Sequence, residues 1–106
     1  MISNGPARPF TRNAVEAWLF RLSECDWERF ISKENLQKGR VFYREGILSS
    51  LDIQPSQIIV TRKVNRVETY SVIEWNQQKP EIRTSSQDDS VGIALGTAGL
   101  YEIEAL

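Results

Sequence analysis

The chain has 106 residues, enough for one modest domain with a real core. Its 41% hydrophobic and 25% charged content is that of an ordinary folded protein, and no window approaches the roughly 20 apolar residues of a membrane span. The formal net charge of −1 speaks against a protein that coats nucleic acid through bulk positive charge.

Residues 1–10, with Gly5, Pro6 and Pro9, read as an irregular lead-in to a single domain over 11–106. Asn13-Ala14-Val15-Glu16 fits a capping box, the Asn13 side chain accepting from a first-turn amide while Glu16 reaches back. Val15, Trp18, Leu19 and Leu22 recur at helical spacing and predict an amphipathic helix over 14–22. Ser23-Glu24-Cys25-Asp26 restarts the pattern, with Trp27, Phe30 and Ile31 as the stripe of a second short helix. Ser32 is placed to cap a third, which carries Leu36, Gly39, Phe42 and Tyr43 on the face toward the sheet. Gly46 is the residue best able to take the left-handed conformation that ends it.

Beyond Gly46 the apolar period changes from about 3.6 to 2. Ile47, Ser49, Leu51 and Ile53 alternate with polar positions as a first strand, and Pro55-Ser56 turns the chain. Ile58 to Val64 is a β-branched second strand, and Asn65-Arg66 a two-residue hairpin turn. Val67 to Trp75 is the third strand, with Tyr70 and Val72 on one face and Ile73 and Trp75 on the other. A loop over 76–80 leads to a short fourth strand at Glu81-Ile82-Arg83-Thr84. From Val91 to Leu106 the apolar pattern predicts a last helix, capped by Asp89 or Ser90. Gly92, Gly96 and Gly99 weaken it by up to about 1 kcal/mol each, but residues this small also permit a close approach to a neighbouring surface. The expected fold is α+β: N-terminal helices, a three- to four-stranded antiparallel meander and a C-terminal helix.

The chain contains no histidine, which removes the commonest general base and the commonest metal ligand together. Its one cysteine, Cys25, lies between Glu24 and Asp26, which raise rather than lower a thiol pKa. No Gly-rich phosphate loop is present, and Gly92, Gly96 and Gly99 do not form a dinucleotide fingerprint. These features predict no catalysis, no cofactor and no bound metal. The single thiol and the lack of an apolar leader segment point to a reducing, cytoplasmic setting.

Two groups of residues are candidates for contact. Lys38, Arg40 and Arg44 along the third helix and Arg62, Lys63 and Arg66 at the hairpin are candidate phosphate ligands, although Lys38, Arg40 and Arg44 do not all share a helix face. Solvated surface charge accounts for the same six residues equally well. Leu95, Leu100, Tyr101 and Ile103 are candidates for docking a protein if the last helix has an uncovered face; the alternative is a helix packed on its own sheet. Charge is uneven: residues 1–84 hold all 13 Lys and Arg, whereas 85–106 hold only the acids Asp88, Asp89, Glu102 and Glu104.

The order Gly39-Arg40-Val41-Phe42-Tyr43-Arg44-Glu45-Gly46-Ile47-Leu48, then the Ile58–Val64 strand, then Tyr70-Ser71-Val72-Ile73, resembles the region around SWIM zinc fingers. Such modules stand at the N-terminus of bacterial Swi/Snf-type helicases, and the ending from Ile93 to Leu106 resembles the segment that follows them. The resemblance spans roughly residues 30–106. It implies a non-catalytic accessory domain that contacts DNA, protein or the helicase motor, with the ATPase motifs downstream and this chain a fragment. The sequence departs from the family at Arg83-Thr84-Ser85-Ser86-Gln87-Asp88-Asp89-Ser90, where the Cys-x-Cys and Cys-x-His zinc ligands would stand. A member of this kind has lost its metal and must hold that loop by capping and packing.

Overall fold

The computed structural model describes residues 12–106, so the predicted lead-in over 1–10 lies outside the described residues. Helix α1 (Arg12–Ser23) buries Ala14, Trp18 and Leu22, three positions on one stripe. Asn13 is already inside this helix and is not its cap, and Glu16 instead pairs with Arg12 at 3.0 Å. The second predicted helix is shorter and tighter, a 3₁₀ turn over Trp27–Phe30. Asp26 precedes it without a side-chain capping bond, and a four-residue segment has no room for an α-helical ladder. Trp27 is its one buried residue.

Helix α2 (Lys33–Glu45) begins and ends as the sequence predicts. The Ser32 hydroxyl accepts from the Asn35 amide at 3.2 Å. Gly46 takes φ 63°, and the Gly46 and Ile47 amides donate back to the Tyr43 and Phe42 carbonyls, a Schellman ending. Four strands follow in an antiparallel meander: β1 (Ser50–Ile53), β2 (Gln57–Val64), β3 (Val67–Asn76) and β4 (Lys79–Thr84), in the order β1-β2-β3-β4. Asn65 and Arg66 both have positive φ, 50° and 67°, which is the type I′ geometry that suits a twisted hairpin. The β3–β4 turn is only Gln77-Gln78, so Lys79 and Pro80 belong to the fourth strand rather than to a loop. Pro80 is tolerated because β4 is an edge strand.

Helix α3 (Asp89–Glu104) is the centre of the molecule. Asp88 caps it, rather than Asp89 or Ser90, its carboxylate accepting from the Ser90 and Val91 amides. The glycines form one stripe along it and face the sheet: a methyl on Gly96 would sit 2.7 Å from Ile82, and methyls on Gly92 and Gly99 would strike Thr84 and Val60. The Ser71 hydroxyl, buried on the same face, donates to the Gly92 carbonyl at 2.7 Å and ties sheet to helix. The opposite side of α3 receives α2, with Gly39 against Thr97 and the Ala94 carbonyl. Gly39 therefore packs α2 on α3, not on the sheet. The layers run sheet, α3, α2, and α1 closes the open end through Trp18. Trp18 is fully buried and its indole N–H donates to the Gln54 carbonyl at 2.7 Å, so its one polar atom is satisfied.

The strands place Leu51, Ile53, Ile58, Val60, Ser71 and Ile73 on the covered face. Tyr70 and Val72 are on the other face, which no helix covers among the described residues. No described helix is long and apolar enough to cross a membrane.

Candidate interaction surfaces

The residues proposed for docking through the C-terminal segment do not form a surface. Leu95, Leu100 and Ile103 are fully buried between the sheet and α2 and are part of this molecule's own core. Only Tyr101 reaches solvent in part, and its hydroxyl is engaged: it donates to Glu28 Oε2 at 2.8 Å and accepts from Arg40 Nε at 3.1 Å. Burial, and then the bond to Glu28, push the Tyr101 phenol above its ordinary pKa, while Arg40 opposes them. The Trp27 ring meets the Tyr101 ring edge-on at 5.2 Å. This knot joins the 3₁₀ turn, α2 and α3.

The six predicted basic residues are not one patch. Arg40 is committed to Glu28 at 3.1 Å as well as to Tyr101. Lys38 is half-buried beside Gly39, whereas Arg40 and Arg44 share the outward face of α2 with Lys33, a lysine the sequence reading passed over. Arg62, Lys63 and Arg66 do stand together at the β2–β3 turn. Strand alternation points Arg62 toward the helical side, where its guanidinium lies 5.8 Å from the Phe42 ring centre, and Lys63 toward the uncovered side.

At the opposite end of β3 lies a cleft that no run of sequence announces. The last turn of α1, the 3₁₀ turn and the β3–β4 hairpin enclose about 490 Å³. Phe20 is 67% exposed and Phe30 50% exposed, and both line it together with Trp75. Trp75 is held edge-on to Trp18, with ring centres 6.0 Å apart. Arg29 and Lys79 lie 6.0 Å and 5.7 Å from the Phe30 ring centre, and Arg21, anchored to the Pro55 carbonyl at 3.0 Å, lies 5.6 Å from that of Trp18. Gln77, in the wall, holds a φ of 58°, an unfavourable value for a residue with a side chain. Cys25 also lines the cleft and donates to the Gln78 carbonyl at 3.2 Å. Partial burial, then Asp26, raise its thiol pKa, so it is a weak nucleophile here.

The segment 83–90, where a SWIM finger would present zinc ligands, is closed by its own side chains. The Ser86 amide donates to Thr84 Oγ1 at 3.0 Å and the Asp88 amide to Ser86 Oγ at 3.2 Å, after which Asp88 caps α3. Ser85 extends the pairing of β4 by donating its amide to the Tyr70 carbonyl at 2.9 Å. The Ser86, Asp88 and Ser90 amides thus each bond a side chain two residues earlier.

No family model matches the chain, and neither a curated protein nor a solved structure matches it. The residues and their geometry therefore carry the functional reading.

Proposed function

We propose that this chain is a non-catalytic accessory domain of a Swi/Snf-type helicase, and that it docks on the motor through the Phe20–Phe30–Trp75 cleft. The helicase context comes from the resemblance over the α2–β1–β2–β3 joint; the loop at 83–90, where the sequence departs from that family, is held by hydroxyl and carboxylate bonds.

The docking role is carried by one observation: a molecule that buries its apolar C-terminal helix leaves two phenylalanines open in a cleft that a tryptophan also lines. Aromatic and arginine side chains around a concavity are the composition of binding hot spots, because they bring large area at small entropic cost. The guanidinium groups of Arg21 and Arg29, near the Trp18 and Phe30 rings, give the cleft a polar rim.

Cys25, the one thiol of the chain, reports on occupancy of the cleft. In a mixture of the chain with a purified Swi/Snf-type motor from the same organism, maleimide labelling of Cys25 should slow at least tenfold. A labelling rate unchanged at saturating motor would remove the cleft as the docking site.

A further inference from the structure

The strand register leaves part of the sheet projecting. Strand β1 pairs with β2 only as far as Thr61, and β4 with β3 only as far as Ser71, plus bonds that tie Ser85 and the Thr84 hydroxyl to Tyr70. Beyond that limit β2 and β3 continue alone through the pairs Arg62↔Thr69, Lys63↔Glu68 and Val64↔Val67. Three pairs at about 3.3 Å per residue make a two-stranded ribbon about 10 Å long before the turn.

The ribbon differs in composition from the rest of the molecule. It holds Arg62, Lys63 and Arg66 against Glu68 alone, a balance of +2 in a chain whose total is −1. Among the described residues none of the three cations is in an ion pair, in contrast to Arg40. The cations lie on both faces and at the tip, and the closing pair is apolar and open, with Val64 46% and Val67 66% exposed. Arg66 occupies a left-handed position that glycine would fill with less strain.

We propose that the ribbon enters a groove of duplex DNA. The major groove is about 12 Å wide and about 8.5 Å deep, and it admits a two-stranded β-ribbon of this length. A groove has phosphates on two walls, so cations on both ribbon faces reach both walls, whereas a flat contact would need them on one. The Val64–Val67 pair then meets apolar groups at the groove floor. The strand β3 separates this end of the molecule from the cleft by nine residue steps, about 30 Å, so duplex and motor can be held together.

Fluorescence anisotropy with a labelled duplex of about 20 base pairs tests this without any motor, so it stands or falls separately from the cleft. The intact chain should bind the duplex more tightly than either single strand, with a log–log salt slope near −2.7 for about three phosphates. Lys63→Ala with Arg66→Gly should weaken binding at least tenfold at low salt and bring the slope near −0.9. Arg66→Gly relieves strain, so loss of binding in a variant of undiminished thermal stability is not unfolding. Val64→Thr with Val67→Thr, which preserves shape and strand propensity, should weaken binding several-fold at unchanged slope. Absence of duplex binding, indifference to these substitutions, or tighter binding to single strands would each overturn the proposal.

Discussion

Replacing Gly39 by alanine isolates the contact that fixes the layer order. Alanine in a helix interior gains about 1 kcal/mol over glycine, so an unconstrained helix would be stabilised. Here the added methyl would lie 2.7 Å from Thr97 Cβ and Cγ2 and 3.1 Å from the Ala94 carbonyl oxygen. None of these can step aside easily: the carbonyl is backbone, and the Thr97 hydroxyl donates to Ile93 at 2.8 Å. Overpacking of this kind costs about 1–3 kcal/mol, and with rigid neighbours the upper part of that range applies. The net expectation is a loss of about 2 kcal/mol, seen as a fall of about 1 M in the urea midpoint. Gly46→Ala gives the comparison. No atom lies within 4 Å of its added methyl, so its cost of about 1 kcal/mol comes from the left-handed backbone alone. A Gly39→Ala chain as stable as the wild type, or more so, would refute the close seating of α2 on α3.

Two further perturbations follow from the same geometry. Arg66→Gly places the residue a type I′ turn prefers at φ 67° and should stabilise the fold by about 0.5–1 kcal/mol, a rise of a few degrees in the thermal midpoint. An unchanged or lower midpoint would contradict the turn geometry. Tyr101 binds its proton more tightly in the folded state than in the unfolded one, because of burial and the bond to Glu28, with Arg40 opposing. Its contribution is therefore complete below the ordinary phenol pKa of about 10 and is lost as pH rises through the higher folded value. Urea titrations from pH 8 to 11 should show the wild type losing stability relative to Tyr101→Phe above about pH 10, and a constant difference would contradict that knot.

The local grammar of this fold was legible wherever one residue decides a local conformation. Ser32 and Gly46 bound α2, Asn65-Arg66 makes the hairpin, and the change of period at Gly46 separates helix from sheet. Tyr70, Val72, Ile73 and Trp75 fall on the predicted faces of β3 because alternation needs no tertiary information. What escaped the sequence is nonlocal. Helix α3 is apolar on every side because it lies between two layers, a placement its glycines permit but do not announce. The same placement buries Leu95, Leu100 and Ile103 and decides between the two readings the sequence left open for them, docking surface or own core, in favour of the core. The cleft brings Phe20 and Phe30 to Trp75 across more than 40 residues; Phe30 read as part of a short helix's stripe and Trp75 as a strand-face residue, and nothing in the sequence singles out Phe20. The ribbon's length depends on where β1 and β4 stop pairing, which no propensity specifies.

The claim that this domain serves a Swi/Snf-type motor is tested most directly by calorimetric titration of the chain against that motor. Saturable binding in the micromolar range or tighter is expected. Phe20→Ser with Phe30→Ser should weaken it at least tenfold, the loss of about 1.4 kcal/mol or more expected when anchor side chains are removed, with little change in the domain's own melting temperature. No saturable heat at high micromolar concentration, or equal affinity in the double variant, would contradict it.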